Sequence, residues 1–291
     1  MSSLDRRQSG KLKGSGLSRR IAPAISHAIL IVACLAIILP FIYLFYISIS
    51  YFRVVTGPGF GFDPTLTHYI ELFSKGARFP SLLVNSVIIS GAATLVSLVI
   101  GSLSAYGLSR FRWSRWLPAI LLGWLVVVQT IPAIALVGPY YSLALQTGLH
   151  NTRTIVVLVY VLVNLPLVIW MMIAYFQGVP RDLEEAGIMD GMTPLQVFLL
   201  IMVPLSAPAL AASGVIAFIF SWKEFLMALT LTSTPDAMTL PVGIAGYVQD
   251  YNIEYGLMTA ASSIAVIPGL LVAAFAQRYI VSGLTAGAVK S

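Results

Sequence analysis

Six stretches of the chain contain no Asp, Glu, Lys or Arg, and each is longer than the roughly 20 residues that a helix needs to cross a bilayer. A charged side chain at the centre of such a helix costs roughly 2.5–3.5 kcal/mol, so charges mark the ends of spans. The sequence therefore predicts six membrane helices. Their approximate ranges are 28–49, 82–106, 116–137, 154–176, 208–231 and 257–276.

The composition supports a membrane protein built of helices. Only 10% of the residues are charged and 58% are hydrophobic, whereas a soluble domain carries about 25% charged residues. Strands of a membrane barrel would alternate apolar and polar residues, but these runs are apolar on every side. The first run is longer than the 7–15 apolar residues of a signal peptide, so we expect it to be retained. The predicted fold is an all-α, polytopic membrane domain over residues 28–276.

The basic residues indicate the orientation. If the N-terminus is cytoplasmic, twelve of the 17 Lys and Arg residues lie on the inner side, which the positive-inside rule favours. We therefore predict that both termini are cytoplasmic, with a basic tail at 1–27 and a second tail at 277–291. The basic residues of the first tail have no aromatic neighbours for stacking on bases, so we interpret it as a segment held at the anionic leaflet and expect no nucleic-acid partner.

Residues suited to catalysis or metal binding are scarce. The three histidines are far apart in sequence, and Cys34 is the single cysteine of the chain. The predicted spans contain no His or Asp, and Glu224 is their one carboxylate. We expect no metal site and no catalytic residue.

The connection between the fourth and fifth spans, residues 177–207, differs from the others because its residues predict two short helices. Pro180 suits the first helical position, and three acids follow it where a helix N-terminus favours negative charge. These acids are Asp182, Glu184 and Glu185. Gly191 can adopt the left-handed conformation that ends a helix.

The second short helix is predicted at 195–203 and is almost wholly apolar. Thr193 can cap it, with Pro194 at N1 and Gln196 completing a capping box. Its apolar residues are expected to be buried beneath the spans. Residues 177–207 would then be either a surface loop without a partner or a rigid knob that docks in a groove of another protein.

This loop resembles the EAA motif of the membrane subunits of binding-protein-dependent ABC importers. The motif places Glu-Ala-Ala, Gly and Ile-x-Leu-Pro at fixed spacing, and the chain matches that spacing with Gly in place of the second Ala and Val203 in place of Leu. The matching residues are Glu185, Ala186, Gly187, Gly191, Ile201 and Pro204, with Glu184 and Asp190 in the same segment. The resemblance implies the fold of a type I ABC importer transmembrane domain, in which these residues couple to a separate ATPase.

Other segments are similar to the maltose-type sugar permeases, including Asn85-Ser86, Trp222-Lys223-Glu224-Phe225 and the C-terminal tail. The resemblance implies that the tail contacts the ATPases and that the loop before the sixth helix contacts an extracytoplasmic sugar-binding protein. The tail residues are Gly283, Leu284, Thr285 and Gly287. The loop residues are Thr239, Pro241, Gly243, Tyr247 and Asn252.

The implied partners are a homologous second permease subunit, two ATP-binding subunits, the sugar-binding protein and the bilayer. The sequence contains no GxxxxGK[ST], so we expect no cofactor in this chain, with ATP and Mg²⁺ on the partner ATPase. The implied function is ATP-driven import of a carbohydrate across the cytoplasmic membrane of a bacterium or archaeon.

Polar residues inside spans are expensive and tend to face an interior, which makes them candidates for the substrate path. The candidates are Asn85, Gln129, Asn164, Trp222, Lys223 and Glu224. Tyr160, Trp170 and Trp222 could cover a sugar ring, although aromatic side chains in membrane proteins are commonly interface anchors. Lys223 stands where the family usually has Asn, which raises the hypothesis of an anionic saccharide.

Two alternatives remain. A stand-alone secondary transporter would need internal repeats, which the sequence does not show convincingly, and it would have no use for the capped loop. A membrane enzyme would need a cluster of reactive groups, which the spans lack.

Overall fold

The structure is a computed structural model that describes residues 16–50, 63–114, 116–249 and 252–288. It is almost wholly helical. In chain order the helices are α1 (Gly16–Ser48), α2 (Thr67–Leu72), α3 (Phe79–Arg110), α4 (Trp116–Thr130), α5 (Ala133–Gln146), α6 (Arg153–Gly178), α7 (Asp182–Met189), α8 (Pro194–Leu205), α9 (Ala207–Trp222), α10 (Leu226–Leu231), α11 (Leu240–Ala245) and α12 (Tyr255–Ala288). Two short strands, β1 (Val248–Gln249) and β2 (Asn252–Ile253), pair antiparallel between α11 and α12.

Within these ranges, four helices are long and apolar enough to cross a membrane: the part of α1 from Ile25 onward, α3, α6, and α12 as far as Phe275. Two bent pairs, α4 with α5 (99°) and α8 with α9 (79°), bring the number to six if each pair is one span. The all-α membrane fold is confirmed, and the six-span count holds when each pair is counted as one. The cytoplasmic position of both termini stays a prediction.

The third predicted span, 116–137, is wrong as a single helix. The chain leaves the helix after Thr130, and Pro132 begins the next helix from an extended backbone (ψ 132°). The residue before a proline is disfavoured in the helical region, which places the break at Ile131. The following segment is helical through Gln146, beyond the predicted end of this span at 137.

The fifth predicted span, 208–231, is also interrupted. Helix α9 ends at Trp222, and α10 begins at Leu226 after a break at Lys223–Phe225. The Glu224 carboxylate accepts hydrogen bonds from the N–H groups of Met227 (2.9 Å) and Ala228 (3.2 Å). Glu224 therefore satisfies the free donors at the start of α10, which explains an acidic residue inside an apolar segment.

The centre of the structure is the contact between α3 and α6. Four small residues of α3, each four positions after the last, are buried along it: Ala93, Ser97, Gly101 and Ala105. A Cβ atom at Gly101 would lie 2.6 Å from Val168 Cγ1 of α6, so the glycine permits the close approach. Small residues at this spacing are a common basis of helix packing in membranes. We refer to the C-terminal ends of α3 and α6 as the coupling end.

The predicted boundaries of the tails differ from the structure. Helix α1 begins at Gly16, inside the stretch 1–27 that we predicted as a tail, and it packs on α12. Helix α12 continues to Ala288, beyond its predicted end at 276. The backbone of 277–288 is thus helical.

The α3–α6 contact yields a test of the fold. Gly101→Ala should destabilise the detergent-solubilised protein by about 1–3 kcal/mol, because the added methyl group overpacks against Val168. Gly91→Ala is the matched control in the same helix, since no atom lies within 4 Å of the position that its methyl group would take. Thermal unfolding should show a lower midpoint for Gly101→Ala only, and equal midpoints would contradict the packing.

Candidate coupling site

Helix α7 is short and has a defined start and end. Its first turn holds Asp182, Glu184 and Glu185, as predicted, whereas Pro180 lies two residues before the helix rather than at its first position. At the other end, Gly191 has a φ of +83°, the left-handed conformation predicted for it. The N–H of Gly191 donates to the Ile188 carbonyl, and the next N–H, of Met192, donates to Gly187, both at 3.0 Å. This pair of bonds is a Schellman motif, which closes the helix.

Helix α8 begins with the predicted capping box. The Gln196 N–H lies 3.4 Å from Thr193 Oγ1, and the Thr193 N–H donates to Gln196 Oε1 at 2.8 Å, with Pro194 at the start of the helix. Residues Phe198–Met202 form a π-helical turn in its middle. The chain from 182 to 205 is therefore two capped helices joined by a tight turn.

One side of α8 is buried at the coupling end, and the other side is exposed. Val197, Phe198 and Met202 are buried against α3 and α6, where the Phe198 ring packs on Tyr106 with 5.1 Å between ring centroids. The expectation of complete burial is wrong for the other side. The exposed leucines of α8 are Leu195, Leu199, Leu200 and Leu205.

Beneath α7, the Glu184 carboxylate enters the protein. Arg110, the last residue of α3, places Nε 2.7 Å from Glu184 Oε1, and the Tyr106 hydroxyl donates to Glu184 Oε2 at 3.1 Å. The side chains of Arg110 and Glu184 are 6% and 10% exposed. The Nε–H is not aligned with Oε1 as a hydrogen bond, so that contact is chiefly coulombic. A buried charge requires such partners, since an unpaired one would be strongly destabilising.

Arg110 also attaches α6. Its Nη2 donates to the carbonyl oxygens of Phe176 (2.6 Å) and Val179 (2.8 Å), at the C-terminal end of that helix. A cation is favourable there because the last carbonyls of a helix have no partners within it. Arg110 therefore joins α3, α6 and α7 at one point.

Of the eight predicted coupling residues, five are exposed, two are buried and Ile201 is half-buried. The exposed members are Glu185, Ala186, Asp190, Gly191 and Pro204. Gly187 is buried, and a Cβ atom there would lie 2.8 Å from Ile201 Cδ1. This glycine, which stands where the family has Ala, therefore allows α7 to pack closely on α8. Glu184, which was predicted as a coupling residue together with Glu185, is buried because its side chain points to Arg110.

Three of the predicted path residues are buried contacts between structural elements. Asn85 donates to the carbonyls of Pro235 and Met238, both at 2.9 Å. Asn164 donates to Ser221 Oγ of α9 at 2.8 Å, and the Trp222 indole N–H donates to the Ala265 carbonyl of α12 at 3.0 Å. These side chains hold helices and loops together, and their role in a substrate path stays a prediction.

The other path candidates lie at the two helix breaks. Gln129 lines a cavity of about 370 Å³ beside Pro132, with Tyr140, Pro166 and Met227 among its other lining residues. Lys223 is exposed at the end of α9, with Nζ 4.7 Å from the centroid of the Phe220 ring, and Glu224 caps α10.

Of the aromatic residues considered for sugar contact, only Trp170 remains available. Tyr160 and Trp222 are buried, which removes them as stacking surfaces. Trp170 is 38% exposed and lines an apolar groove between α4 and α6.

The segment predicted to contact a binding protein is attached to the N-terminal end of α3. The Leu240 N–H donates to Ser86 Oγ at 2.6 Å, and Gly243 packs so closely on Leu82 that a Cβ would clash. Thr239 is buried at the start of α11 and Pro241 is half-buried. Burial and the nearby Glu254 carboxylate raise the pKa of Tyr247.

The accessible part of that segment is its tip. Among the described side chains of 239–248, those of Ala245 and Val248 are exposed, as is Gly246, and all three lie within the predicted contact stretch 239–252. The backbone of Asn252 belongs to β2, opposite Gln249, and its side chain is not among those that the structure describes. Gly283, Leu284, Thr285 and Gly287 belong to α12, with their side chains also outside the described residues.

Residues 97–286 match the family model described as "Binding-protein-dependent transport system inner membrane component". This match covers α4 to α11, including the whole coupling site. The chain belongs to this family. It is therefore an inner-membrane subunit of an ABC transport system and a multi-pass protein of the cytoplasmic membrane.

Two curated permeases in this family are similar over most of their length. The chain is 36% identical over 277 residues to the trehalose/maltose transport system permease protein MalG of Thermococcus litoralis, covering 94% of this chain and 97% of the relative. It is 37% identical over 228 residues to the trehalose transport system permease protein SugB of Mycobacterium tuberculosis, covering 78% of this chain and 82% of that protein.

A solved structure confirms the predicted type I ABC importer fold. The chain superposes with a TM-score of 0.75 on a chain of a bacterial ABC transporter involved in the import of the acidic polysaccharide alginate. The match covers 90% of this chain and 97% of that chain at 22% identity.

The turn after α7 should be sensitive to a side chain at Gly191. Gly191→Ala forces a residue with a Cβ into the left-handed region, which costs about 1–2 kcal/mol and should raise amide exchange in α7 about 5–30-fold. Gly178→Ala is the control, since that glycine has an ordinary φ and nothing within 4 Å. Unchanged exchange in Gly191→Ala would contradict the turn geometry.

Proposed function

We propose that this chain is the permease subunit of an ATP-driven ABC importer that carries a di- or oligosaccharide across the cytoplasmic membrane by alternating access. Membership of the transport family supports the importer. The sugar is supported by the two similar permeases, whose names give trehalose and maltose as their substrates.

The observation that carries the proposal is the anchoring of α7 from beneath. Glu184 fixes the helix to α3 and α6, while Glu185 on the next position is exposed. The exposed side of α8 continues this surface with Leu195, Leu199 and Leu200. A rigid helix with exposed carboxylates, Glu185 among them, and an adjacent apolar surface is suited to dock in a cleft of an ATPase and to transmit its motion.

The chain would work with several partners. We propose a homologous second permease subunit, since six helices form half of a pore, together with two ATP-binding subunits that hold ATP and Mg²⁺. The C-terminal stretch 283–289 would add a second ATPase contact. An extracytoplasmic sugar-binding protein would dock on the tip of the α11–β2 segment, where Ala245, Gly246 and Val248 are exposed. This assignment places the coupling end and both termini in the cytoplasm.

The substrate path would pass the two helix breaks. Gln129 at the α4–α5 break lines a cavity with one amide and one phenol, from Tyr140, which could hydrogen-bond sugar hydroxyl groups. Lys223 at the α9–α10 break could contact an acidic substrate, and the structurally similar alginate transporter imports an acidic polysaccharide. Alternating access requires that each state differ in contact energy for the ligand or the nucleotide.

The alternative of a stand-alone secondary transporter is disfavoured by the family and by the anchored α7, which would have no partner. Copurification from native membranes separates the two. An ABC importer subunit should bring its ATPase with it, and ATP hydrolysis in the reconstituted complex should rise with one saccharide-loaded binding protein. Purification of the chain without any ATPase, together with sugar uptake driven by an ion gradient, would refute the proposal.

Reversing the exposed charge of Glu185 on α7 should uncouple the subunit. Glu185→Lys should lower the amount of copurified ATPase about tenfold or more, because reversing a charge at an interface costs several kcal/mol. Glu71→Lys reverses an exposed charge on α2 at the other end of the protein and is the matched control. Full ATPase recovery and sugar uptake in Glu185→Lys would count against docking through α7.

A further inference from the structure

Helix α3 is attached at each end to a segment for which we have proposed a contact with another protein. At its N-terminal end, Asn85 and Ser86 bind the segment that leads to α11. At its C-terminal end, Tyr106 and Arg110 bind Glu184 of α7. Asn85 and Arg110 are 25 positions apart, so the two attachments are about 38 Å apart along the helix.

The N-terminal attachment is rigid because it is buried and made to backbone. Asn85 is fully buried, and its amide donates to two carbonyls of the turn at Pro235–Met238. Ser86 accepts the N–H of Leu240, the first residue of α11. Loss of either side chain leaves buried backbone groups without a hydrogen-bond partner, which weakens this attachment.

Among the described spans, α3 is also the one without a proline in its interior. Its single proline, Pro80, is in the first turn, where a proline is tolerated. Proline lies inside α6 (Pro166) and α12 (Pro268), and the α4–α5 and α8–α9 pairs are bent. Proline in a helix interior removes a hydrogen bond and favours kinking, so these spans are more easily deformed.

We propose that α3 transmits motion between α7 and the α11 segment, with Arg110 and Asn85 as the positioning residues that attach it at its two ends. This inference rests on the proposed function, because it assigns the ATPase to α7 and the binding protein to the α11 segment. When α7 moves with its ATPase, the Arg110–Glu184 contact moves the end of α3. The hydrogen bonds of Asn85 and Ser86 carry that movement to α11.

The test measures how accessible the α11 segment is, at the N-terminal end of α3, while nucleotide acts on the ATPase at the C-terminal end. In the full complex with its ATPase, Cys34→Ser removes the native thiol and Val248→Cys places a new one on the exposed tip. Trapping the ATPase with ATP and vanadate should change the rate of maleimide labelling at that cysteine. The labelling rate needs no sugar, so the unidentified substrate does not enter the measurement.

Two sets of variants are needed, and each set weakens the attachment at one end of α3. Glu184→Gln removes the charge at constant shape, and Tyr106→Phe removes one hydroxyl donor while keeping the packed ring. Asn85→Ala and Ser86→Ala act at the other end. Each should reduce the vanadate-induced change in labelling rate about fivefold or more, with the ATPase still bound and hydrolysing ATP.

Controls separate transmission from folding. Ser97→Ala alters a buried position of α3 between the attachments, and Arg112→Gln removes an exposed charge just beyond the helix; both should respond as the parent complex does. Substitution of a residue with only a structural role would lower the yield of the complex but would leave the vanadate-induced change in labelling rate intact. Tyr106→Phe and Ser86→Ala, the smaller changes, keep the test valid if Glu184→Gln or Asn85→Ala fails to assemble.

The outcomes distinguish the two proposals. If no ATPase copurifies with the parent chain, the proposed function fails and the inference falls with it. If the ATPase copurifies and vanadate changes labelling equally in the parent and in the variants at both ends, α3 is not the transmitting element and only the inference is overturned.

Discussion

The coupling site depends on the burial of one carboxylate. Glu184 is removed from solvent at the start of α7, and its charge is stable there only because Arg110 and Tyr106 contact it. The same arginine donates to the Phe176 and Val179 carbonyls at the C-terminal end of α6, so three helices meet at one guanidinium group. The position of α7, and with it the exposure of Glu185, follows from this contact. A lysine could not replace Arg110 equivalently, because the forked guanidinium reaches the carboxylate and both carbonyls at once.

The remaining architecture reflects the cost of unpaired backbone groups in a membrane. The breaks at Pro132 and at Lys223–Phe225 expose helix ends, which must find partners where water is scarce. Glu224 supplies acceptors at the second break, and Asn85 supplies donors to the turn that packs on α3. Polar residues inside apolar segments are thus used here mainly to satisfy backbone, which explains why several path candidates are structural.

Sequence reasoning succeeded where a signal is local. Gly191, Thr193 and Gln196 specify their turn and cap through contacts within a few residues, so the two capped helices could be predicted. It failed where partners are distant. Arg110 and Glu184 are 74 positions apart, and no periodicity shows that one of two adjacent acids turns inward. The small residues of α3 were visible as a four-residue repeat, a signal that hydropathy alone does not weigh. Pro132 marks the break at Ile131, but the uncharged run continues past it, so the absence of charge alone indicated one span.

The central claim is that α7 contacts an ATPase carried by another chain. The most direct measurement places a photoactivatable benzoylphenylalanine at Met189, which is 86% exposed at the end of α7, and cross-links in native membranes. We predict a cross-linked product that contains an ATP-binding subunit, and none from the same probe at exposed Lys75, between α2 and α3. An ATPase cross-link from Lys75 but not from Met189 would contradict the claim.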